Sequence, residues 1–264
     1  ESEFRNLEQK KKIMLYTLLQ TYPAGSSGFM ALGGNAGYFL LIVLIGIAGY
    51  IVQARLQSVF AKYAREPIPG GMTGAEVAEK MLRENHVHNV KITHVSGHLT
   101  DHFNPQTMTV NLSDSVYASQ SISALAVACH ECGHAVQHAQ GYAPLVLRSQ
   151  LVPLVSFASR TAQWVIIIGL IILASTNNAV VAWAGIGLIG LSALFSVITL
   201  PVEYNASARA LAWLESSRTL QGEQIDHARV ALRWAARTYL VAALGAIASV
   251  LYYVMLVMGG RRND

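Results

Sequence analysis

The chain has 264 residues, of which 53% are hydrophobic and 13% are charged. An ordinary soluble domain carries charge on roughly a quarter of its residues, so this composition argues against a soluble protein. The apolar residues are collected in blocks long enough to cross a bilayer. The net charge of +4 comes without any basic run interleaved with aromatic residues, so no nucleic-acid partner is expected.

Four apolar blocks are predicted to be transmembrane helices, because each covers about 20 residues or more and is nearly free of charge. They are residues 29–52, 151–174, 179–200 and 239–258. The polar side chains in the first half of the second block, Arg160 among them, are expected to face protein or the membrane interface.

The tail at 1–28 opens without Met and contains a GSSG stretch. It is either vector-derived or a native amphipathic helix around 7–19, and no functional prediction rests on it.

The distribution of Lys and Arg predicts the orientation in the membrane. Basic residues are concentrated in the polar segments 53–150 and 201–238, whereas the STNN turn between the second and third blocks has none. By the positive-inside rule both polar segments lie in the cytoplasm, where their charge suits an anionic lipid surface. The basic residues near the two termini favour the opposite orientation, but the loops outweigh them.

Residues 53–150 are predicted to form a small cytoplasmic α+β domain. Thr73 and Glu76 have the spacing of a capping box ahead of an amphipathic helix. VKITHV and TMTVNL alternate apolar and polar residues as strands do, with turn residues between them. We expect a helix followed by an antiparallel sheet. TMTVNL, at 107–112, is either an edge strand able to pair with an extended peptide or an ordinary sheet strand.

A helix is predicted at about 121–140, because serines stand at its start and Gly141 follows its end. It contains ACHECGHAVQH, with His-Glu-x-x-His at 130–134. On a helix His130 and His134 are about 40° apart, so both imidazoles can reach one metal ion. Glu131 is close enough to touch a water on that metal without ligating it, which predicts a catalytic base.

The same stretch spells Cys-x-x-Cys at 129–132. Cys129 and Cys132 point about 140–160° away from His134, so they cannot share its metal ion. Redox motifs usually place the first cysteine at a helix N-terminus, whereas both cysteines here are in mid-helix. They are interpreted as packing residues in a reducing compartment.

A catalytic zinc needs three protein ligands and one open position. One helix rarely supplies all three, so His138 is interpreted as a surface or outer-shell residue. Glu203, in LPVEYNASARA after the third block, is the preferred third ligand, because an ionised carboxylate at the mouth of a span needs a partner. Pro201 is expected to end that span. The alternative ligands are the other acidic residues and the histidines outside the motif helix: His86, His88, His94, His98, His102 and His227.

Three stretches in this order carry a family resemblance: DHFNPQTMTVNLSDSVY, SALAVACHECGHAVQH and LPVEYNASARA, with an apolar pair between the last two. They resemble the YugP-type membrane zinc metallopeptidases of bacteria, from about Phe29 to the end of the chain. The resemblance implies a predominantly α-helical integral membrane protein with a gluzincin-like domain. It also implies one Zn²⁺ per chain, with His130, His134 and Glu203 as ligands and Glu131 as the base.

The sequence departs from the broader gluzincin pattern at position 207. An Asp four residues after the Glu ligand often supports the first histidine in gluzincins, but this chain has Ser207 there. Asn205 or Ser207 is expected to take over that support.

The predicted function is zinc-dependent hydrolysis of peptide bonds in membrane or membrane-proximal proteins at a bacterial inner membrane, with the active site facing the cytoplasm. The expected partners are lipid, a peptide or membrane-protein substrate and a regulatory membrane protein. The oxyanion would be stabilised by His227, Arg209 or Tyr204.

Three alternatives remain open. A site-2-type intramembrane protease would place the motif helix in an apolar span. An HtpX-type protease has similar ligands but differently arranged spans. A structural or sensory zinc site would usually have four ligands rich in Cys.

Overall fold

The structure is a computed structural model that describes residues 36–66, 68, 71–97 and 99–260. The tail at 1–28, the start of the first apolar block and His98 lie outside the described residues. The elements in chain order are α1 (Ala36–Tyr63), α2 (Gly74–Glu84), β1 (Lys91–Val95), β2 (His102–Asn104), β3 (Thr109–Ser113), α3 (Ile122–Ala139), α4 (Ala143–Thr176), α5 (Val180–Ser216) and α6 (Glu223–Gly260).

Four helices in the described part of the chain, α1, α4, α5 and α6, are long and apolar enough to cross a membrane. The prediction of a mostly helical protein with about four membrane-spanning helices is therefore confirmed at the level of length and composition. The helices extend well beyond the apolar blocks, since α5 has 37 residues and α6 has 38.

Helix α5 continues through Pro201 to Ser216, so the helix does not break at the end of the third apolar block. That the membrane span ends at Pro201 stays a prediction. A proline inside a helix removes one backbone hydrogen bond and crowds the preceding turn. The residues that follow compensate by packing: Val202, Ala206 and Ala210 recur every four positions and are fully buried. This buried face keeps the chain helical, since tertiary packing supplies most of the stability of helices in proteins.

The chain divides into two compact units. The described residues of the first are 36–50, 148–198 and 239–260. Within it, α4 and α5 approach closely through small residues: a Cβ on Gly169 would lie 2.4 Å from the backbone nitrogen of Ala182. Ala162, Ile166 and Ile186 are buried around this contact. Close approach of small residues is how apolar helices pack when no water drives them together.

The second unit consists of residues 51–147 and 199–238. Its sheet has the order β1-β3-β2, with β1 parallel to β3 and β2 antiparallel to β3. The expectation of an antiparallel sheet is therefore wrong, because the sheet is mixed. The alternation of apolar and polar residues determines which face of a strand is buried, but not its direction or its neighbours.

Of the two interpretations of TMTVNL, the structure supports the ordinary sheet strand. TMTVNL contributes β3, which is the central strand, and β2 lies at an edge. A tight turn joins the two strands, in which Oδ1 of Asn104 accepts hydrogen bonds from the backbone of Gln106 and Thr107. The two edges of the sheet are β1 and β2, so a segment that extends the sheet pairs with one of these strands and not with β3.

Helices α2 and α3 form the core of the second unit. The capping box at the start of α2 is confirmed, because Thr73 and Glu76 bond to each other's backbone N–H. The side chains of Val77 and Met81 on its buried face pack in the core with most of α3. Ser121 caps α3 by accepting a hydrogen bond from the backbone of Ala124. This packing fixes the position of α3, the helix that carries the histidine motif.

Candidate metal centre

The ligand atoms of His130, His134 and Glu203 converge on one point. Nε2 of His130 lies 3.2 Å from Oε2 of Glu203, and Nε2 of His134 lies 3.5 Å from the same oxygen. Ligand atoms of these residues all lie within 4.8 Å of one another. Two ligand atoms on one tetrahedral zinc, with bonds of about 2.0–2.1 Å, are about 3.3 Å apart. The observed spacing therefore fits a zinc ion.

A glycine inside the motif brings the two helices together. A Cβ on Gly133 would lie 2.6 Å from the carbonyl oxygen of Ala206, so the backbones of α3 and α5 touch at this point. Glu203 precedes Ala206 by about one helical turn, which places its carboxylate opposite the two histidines. The absence of a side chain at Gly133, between the two histidines, thus allows the two helices to approach closely at the site.

Two of the three donor groups are shielded from water, and His130 is partly exposed. Glu203 is 2% exposed and His134 is 8% exposed. An ionised carboxylate at such a depth is costly unless it is paired with positive charge and hydrogen-bonded. The depth of Glu203 therefore favours a cation bound between the three side chains.

The hydrogen bonds of Gln137 determine the tautomer of His134. Nε2 of Gln137 donates to the carbonyl oxygen of Val202 at 2.9 Å, so its Oε1 is the atom that faces Nδ1 of His134 at 3.0 Å. Because Oε1 can only accept, Nδ1 of His134 carries a hydrogen, and in the neutral imidazole Nε2 then carries none. Nε2 and the carboxylate of Glu203 are then two acceptors facing each other, and a proton or a cation between them removes their repulsion.

The first histidine has a different support. Oγ of Ser207 lies 3.1 Å from Nδ1 of His130. Of the two residues expected to replace the usual Asp, Ser207 is thus the one that contacts His130, while Asn205 bonds to Gln137 instead. With both Nδ1 atoms occupied, both Nε2 atoms face Glu203, which is the arrangement of histidines that ligate a metal. The donor set fits zinc in its chemistry as well as its spacing.

Glu131 lies beside this donor set without belonging to it. Its Oε2 accepts a hydrogen bond of 2.9 Å from the backbone N–H of Phe103 on β2. The carboxylate therefore lies between α3 and the edge of the sheet. Sequence reasoning missed the contribution of Phe103, because a backbone N–H leaves no signature in the side chains.

A second carboxyl group, Asp101, lies close to Glu131 and was not predicted. Burial raises the pKa of Asp101 to about 6, and the nearby charge of Glu131 adds to this rise. Asp101 accepts hydrogen bonds from the backbone N–H and the hydroxyl of Ser113, at 2.7 and 2.9 Å. It therefore ties the start of β2 to β3 next to the catalytic-base candidate.

The two cysteines are packing residues, as interpreted from the sequence. Both are fully buried, and burial raises the pKa of each thiol well above its usual range. Sγ of Cys132 lies 3.6 Å from the carbonyl oxygen of Ala78 on α2. Thiols of this kind are poor nucleophiles and poor metal ligands.

The alternative histidine ligands are engaged elsewhere. His102 is buried against Thr100 and Asn111, and the exposed His94 contacts Asp114. His138 is exposed and its ring lies 5.7 Å from the ring of Phe103. The rings of His86 and His88 lie 6.4 Å from each other. Within the described residues, none of these joins a group of three potential metal ligands.

The three oxyanion candidates have different environments. His227 contacts Glu66 at 2.6 Å and stacks on Tyr63. Arg209 donates to Asn205 at 2.7 Å. Tyr204 is 46% exposed. None of these contacts selects an oxyanion partner, and the role stays a prediction.

Comparison with known proteins defines the class to which this fold and donor set belong. The family described as "Putative neutral zinc metallopeptidase" matches residues 38–258, and the chain belongs to this family. The chain is also similar to a protein of Bacillus subtilis (strain 168) described as "Putative membrane protease YugP". The two are 39% identical over 228 residues, which is 86% of this chain and 98% of the relative.

The resemblance read from the three sequence stretches is thereby confirmed. No solved structure matches the chain significantly.

Proposed function

We propose that the chain is a zinc-dependent endopeptidase of the gluzincin type that cleaves membrane or membrane-proximal proteins. The convergence of His130, His134 and Glu203 beside Glu131 carries this proposal. Membership of a zinc metallopeptidase family supports the choice of metal, and the similarity to a Bacillus protein described as a membrane protease supports the reaction class.

One Zn²⁺ per chain would be held by Nε2 of His130, Nε2 of His134 and the carboxylate of Glu203. A zinc ion there supplies a Lewis acid that acidifies water and polarises a peptide carbonyl. The protein's own contribution is to hold the three donors in place and to leave one side of the site open for water and substrate.

Glu131 acts as the general base and then as the general acid. Its carboxylate takes a proton from the attacking water as the new carbon–oxygen bond forms, and it delivers that proton to the leaving nitrogen as the peptide bond breaks. The Phe103 N–H orients the carboxylate for this task. The products are one new carboxylate and one new amine.

The edge of the sheet gives a route for the substrate. Because the N–H of Phe103 reaches Glu131, the outward edge of β2 faces the catalytic carboxylate. An extended peptide that pairs with this edge would run past Glu131. Recognition through the main chain reads side chains loosely, so we expect broad sequence preference.

The remaining parts of the proposal concern location and partners. The excess of Lys and Arg in 53–150 and 201–238 supports a multi-pass protein of the bacterial inner membrane whose active site faces the cytoplasm. Membrane lipid, a membrane-protein substrate and a regulatory membrane protein are the proposed partners, and nucleic acid is not among them.

The test measures zinc content and peptide hydrolysis together on the full chain in detergent. Glu131→Gln is expected to retain zinc and to lose about 100-fold or more in the rate of hydrolysis of a fluorogenic peptide mixture. Full hydrolysis by this variant would sink the assignment of the base. Glu203→Ala is expected to lose zinc, whereas Glu215→Ala, which removes an exposed carboxylate from the same helix, keeps both zinc and activity.

A structural or sensory zinc site is the competing function, and cobalt substitution separates the two. A site with Cys ligands gives intense thiolate-to-cobalt charge-transfer bands. The donor set of two His and one Glu predicts a cobalt spectrum without those bands. Intense charge-transfer absorption would show that the buried cysteines ligate the metal and would remove the basis for the peptidase proposal.

A further inference from the structure

Gln137 is a polar side chain with no exposure to solvent, placed one turn after His134 on α3. We propose that Gln137 is a positioning residue that holds His134 in the tautomer and orientation required for binding zinc. This inference rests on the proposed function, because it assigns Gln137 a role toward the zinc ion of that same site.

The first step is the orientation of the Gln137 amide. Its nitrogen donates to the backbone carbonyl of Val202 and to Oδ1 of Asn205, both at 2.9 Å. A carbonyl can only accept, so the amide nitrogen must face α5 and the amide oxygen must face His134. The 3.0 Å contact with Nδ1 of His134 is therefore a bond in which the histidine donates.

The orientation of the Asn205 amide supports the orientation of the Gln137 amide, because Oδ1 of Asn205 accepts the hydrogen bond from Gln137. Nε of Arg209 donates to Oδ1 of Asn205 at 2.7 Å. Because a guanidinium can only donate, Asn205 presents its oxygen, not its nitrogen, to Gln137. Arg209 is itself held by Oε1 of Gln140 at 2.7 Å. Each bond in the series from Gln140 to His134 thus has one permitted direction.

The third step is a contrast between the two histidine ligands. Ser207, which contacts His130, has a hydroxyl group that can donate or accept, so it does not dictate the tautomer of its histidine. The oxygen of Gln137 can only accept and does dictate it. Gln137 therefore sets the metal-binding nitrogen of His134 before metal arrives, which the Ser207 hydroxyl cannot do for His130.

A purely structural role is the competing explanation, since the same amide also joins α3 to α5. Two substitutions separate the roles. Gln137→Glu keeps an acceptor for His134 but loses both bonds to α5, whereas Gln137→Met keeps the length and loses all three bonds. Val136→Ala is the matched control, because it weakens the buried core beside Gln137 without touching the histidine.

The experiment measures the Kd of the full chain for zinc in detergent, by competition with a chelator, together with the melting temperature. Gln137→Met is expected to raise the Kd by about 10–100-fold, as loss of an outer-shell partner of a ligating histidine does. Gln137→Glu is expected to stay within about 3-fold of the wild-type Kd despite a lowered melting temperature. Val136→Ala is expected to melt earlier with an unchanged Kd.

The inference is overturned if Gln137→Met binds zinc like the wild type, or if the Kd of Gln137→Glu rises as much as that of Gln137→Met. Should Gln137→Met not fold, Gln137→Glu decides by itself: a wild-type Kd supports the inference, and a tenfold rise overturns it. The proposed function fails separately. A wild-type chain that binds zinc but cleaves no peptide refutes the peptidase and leaves the assignment of Gln137 intact.

Discussion

Helix α5 makes two close crossings, one in each unit, and both depend on a glycine of the partner helix. In the first unit Gly169 of α4 lies against Ala182, among apolar side chains. In the second unit Gly133 of α3 lies against Ala206, next to His134 and Glu203. A glycine therefore allows close helix packing in both units, beside apolar side chains in the first and beside polar metal-ligand candidates in the second.

The two crossings differ in how they treat polar atoms. Among the described residues, the one buried side-chain oxygen or nitrogen without a hydrogen-bond partner is Oγ of Ser156, in the first unit. The second unit buries more demanding groups, such as Gln137 and Glu203, yet each of them has partners. Dispersion is enough to hold an apolar crossing, whereas a polar crossing is stable only when every buried donor and acceptor is paired.

The largest expected effect comes from placing a methyl group at each crossing. Gly133→Ala forces a Cβ to within 2.6 Å of a backbone carbonyl, so the helices must separate and the ligands with them. We expect zinc binding to be lost and the melting temperature to fall, because overpacking of this kind costs about 1–3 kcal/mol or more. Chelator competition and thermal unfolding measure the two effects.

Two control variants show whether a loss of zinc binding in Gly133→Ala comes from the crossing of α3 and α5. Gly169→Ala, at the apolar crossing, is expected to lower the melting temperature while the Kd for zinc stays unchanged. Gly190→Ala, on α5 with nothing within 4 Å of the added carbon, is expected to change neither. Normal zinc binding by Gly133→Ala would show that close contact of α3 and α5 is not what assembles the site.

A smaller effect is expected from removing one hydroxyl group at each crossing. Ser207→Ala removes the partner of Nδ1 of His130, and we expect the Kd for zinc to rise by about tenfold. Ser192→Ala, also on α5, removes a hydroxyl that bonds to the backbone of Leu188 in the first unit. That variant should bind zinc like the wild type. Equal Kd values for the two variants would contradict the proposed support of His130.

The last effect concerns how the stability of the second unit depends on pH. The pKa of Asp101 rises from 3.8 in the unfolded chain to about 6 in the folded protein, because the group is buried. Its contribution to stability is therefore fully present below pH 3.8 and is lost as the pH rises through 6. Over that window the loss amounts to at most about 3 kcal/mol.

Asp101→Asn should remove this loss, so the melting temperature of the variant minus that of the wild type should increase from pH 4 to pH 6.5. Asp114→Asn is the control, because the pKa of Asp114 is shifted in the opposite direction to that of Asp101. A hydrogen bond from the Gly97 N–H, and then His94, hold the pKa of Asp114 below its usual range. The contribution of Asp114 to the stability of the fold is therefore present at neutral pH and is lost as the pH falls through its lowered pKa. A difference for Asp101→Asn that does not vary with pH would refute the assigned pKa.

Local spacing made much of the site predictable. The i, i+4 spacing of His130 and His134 and the capping residues of α2 act within one or two helical turns, and the structure contains them as expected. Glu203 was chosen because of the cost of a carboxylate beside an apolar block. That argument identified a residue in need of a partner without showing which partner it would meet.

Contacts between distant segments were not predictable in the same way. The continuation of α5 through Pro201 depends on burial of the residues that follow it, and the direction of β3 depends on where β2 lies. The bond from the Phe103 N–H to Glu131 and the three bonds of Gln137 join segments far apart in the chain. Short-range patterns carry no information about such partners.

The sequence by itself determined the apolar helices, the motif helix and the spacing of its two histidines, because these depend on composition and on helical periodicity. Only the tertiary structure decided that α3 touches α5 at Gly133, that Glu131 faces the sheet edge, and that Gln137 sets the tautomer of His134. The physical reason is that ligation and hydrogen bonding act over about 3 Å, and only packing determines which atoms come that close.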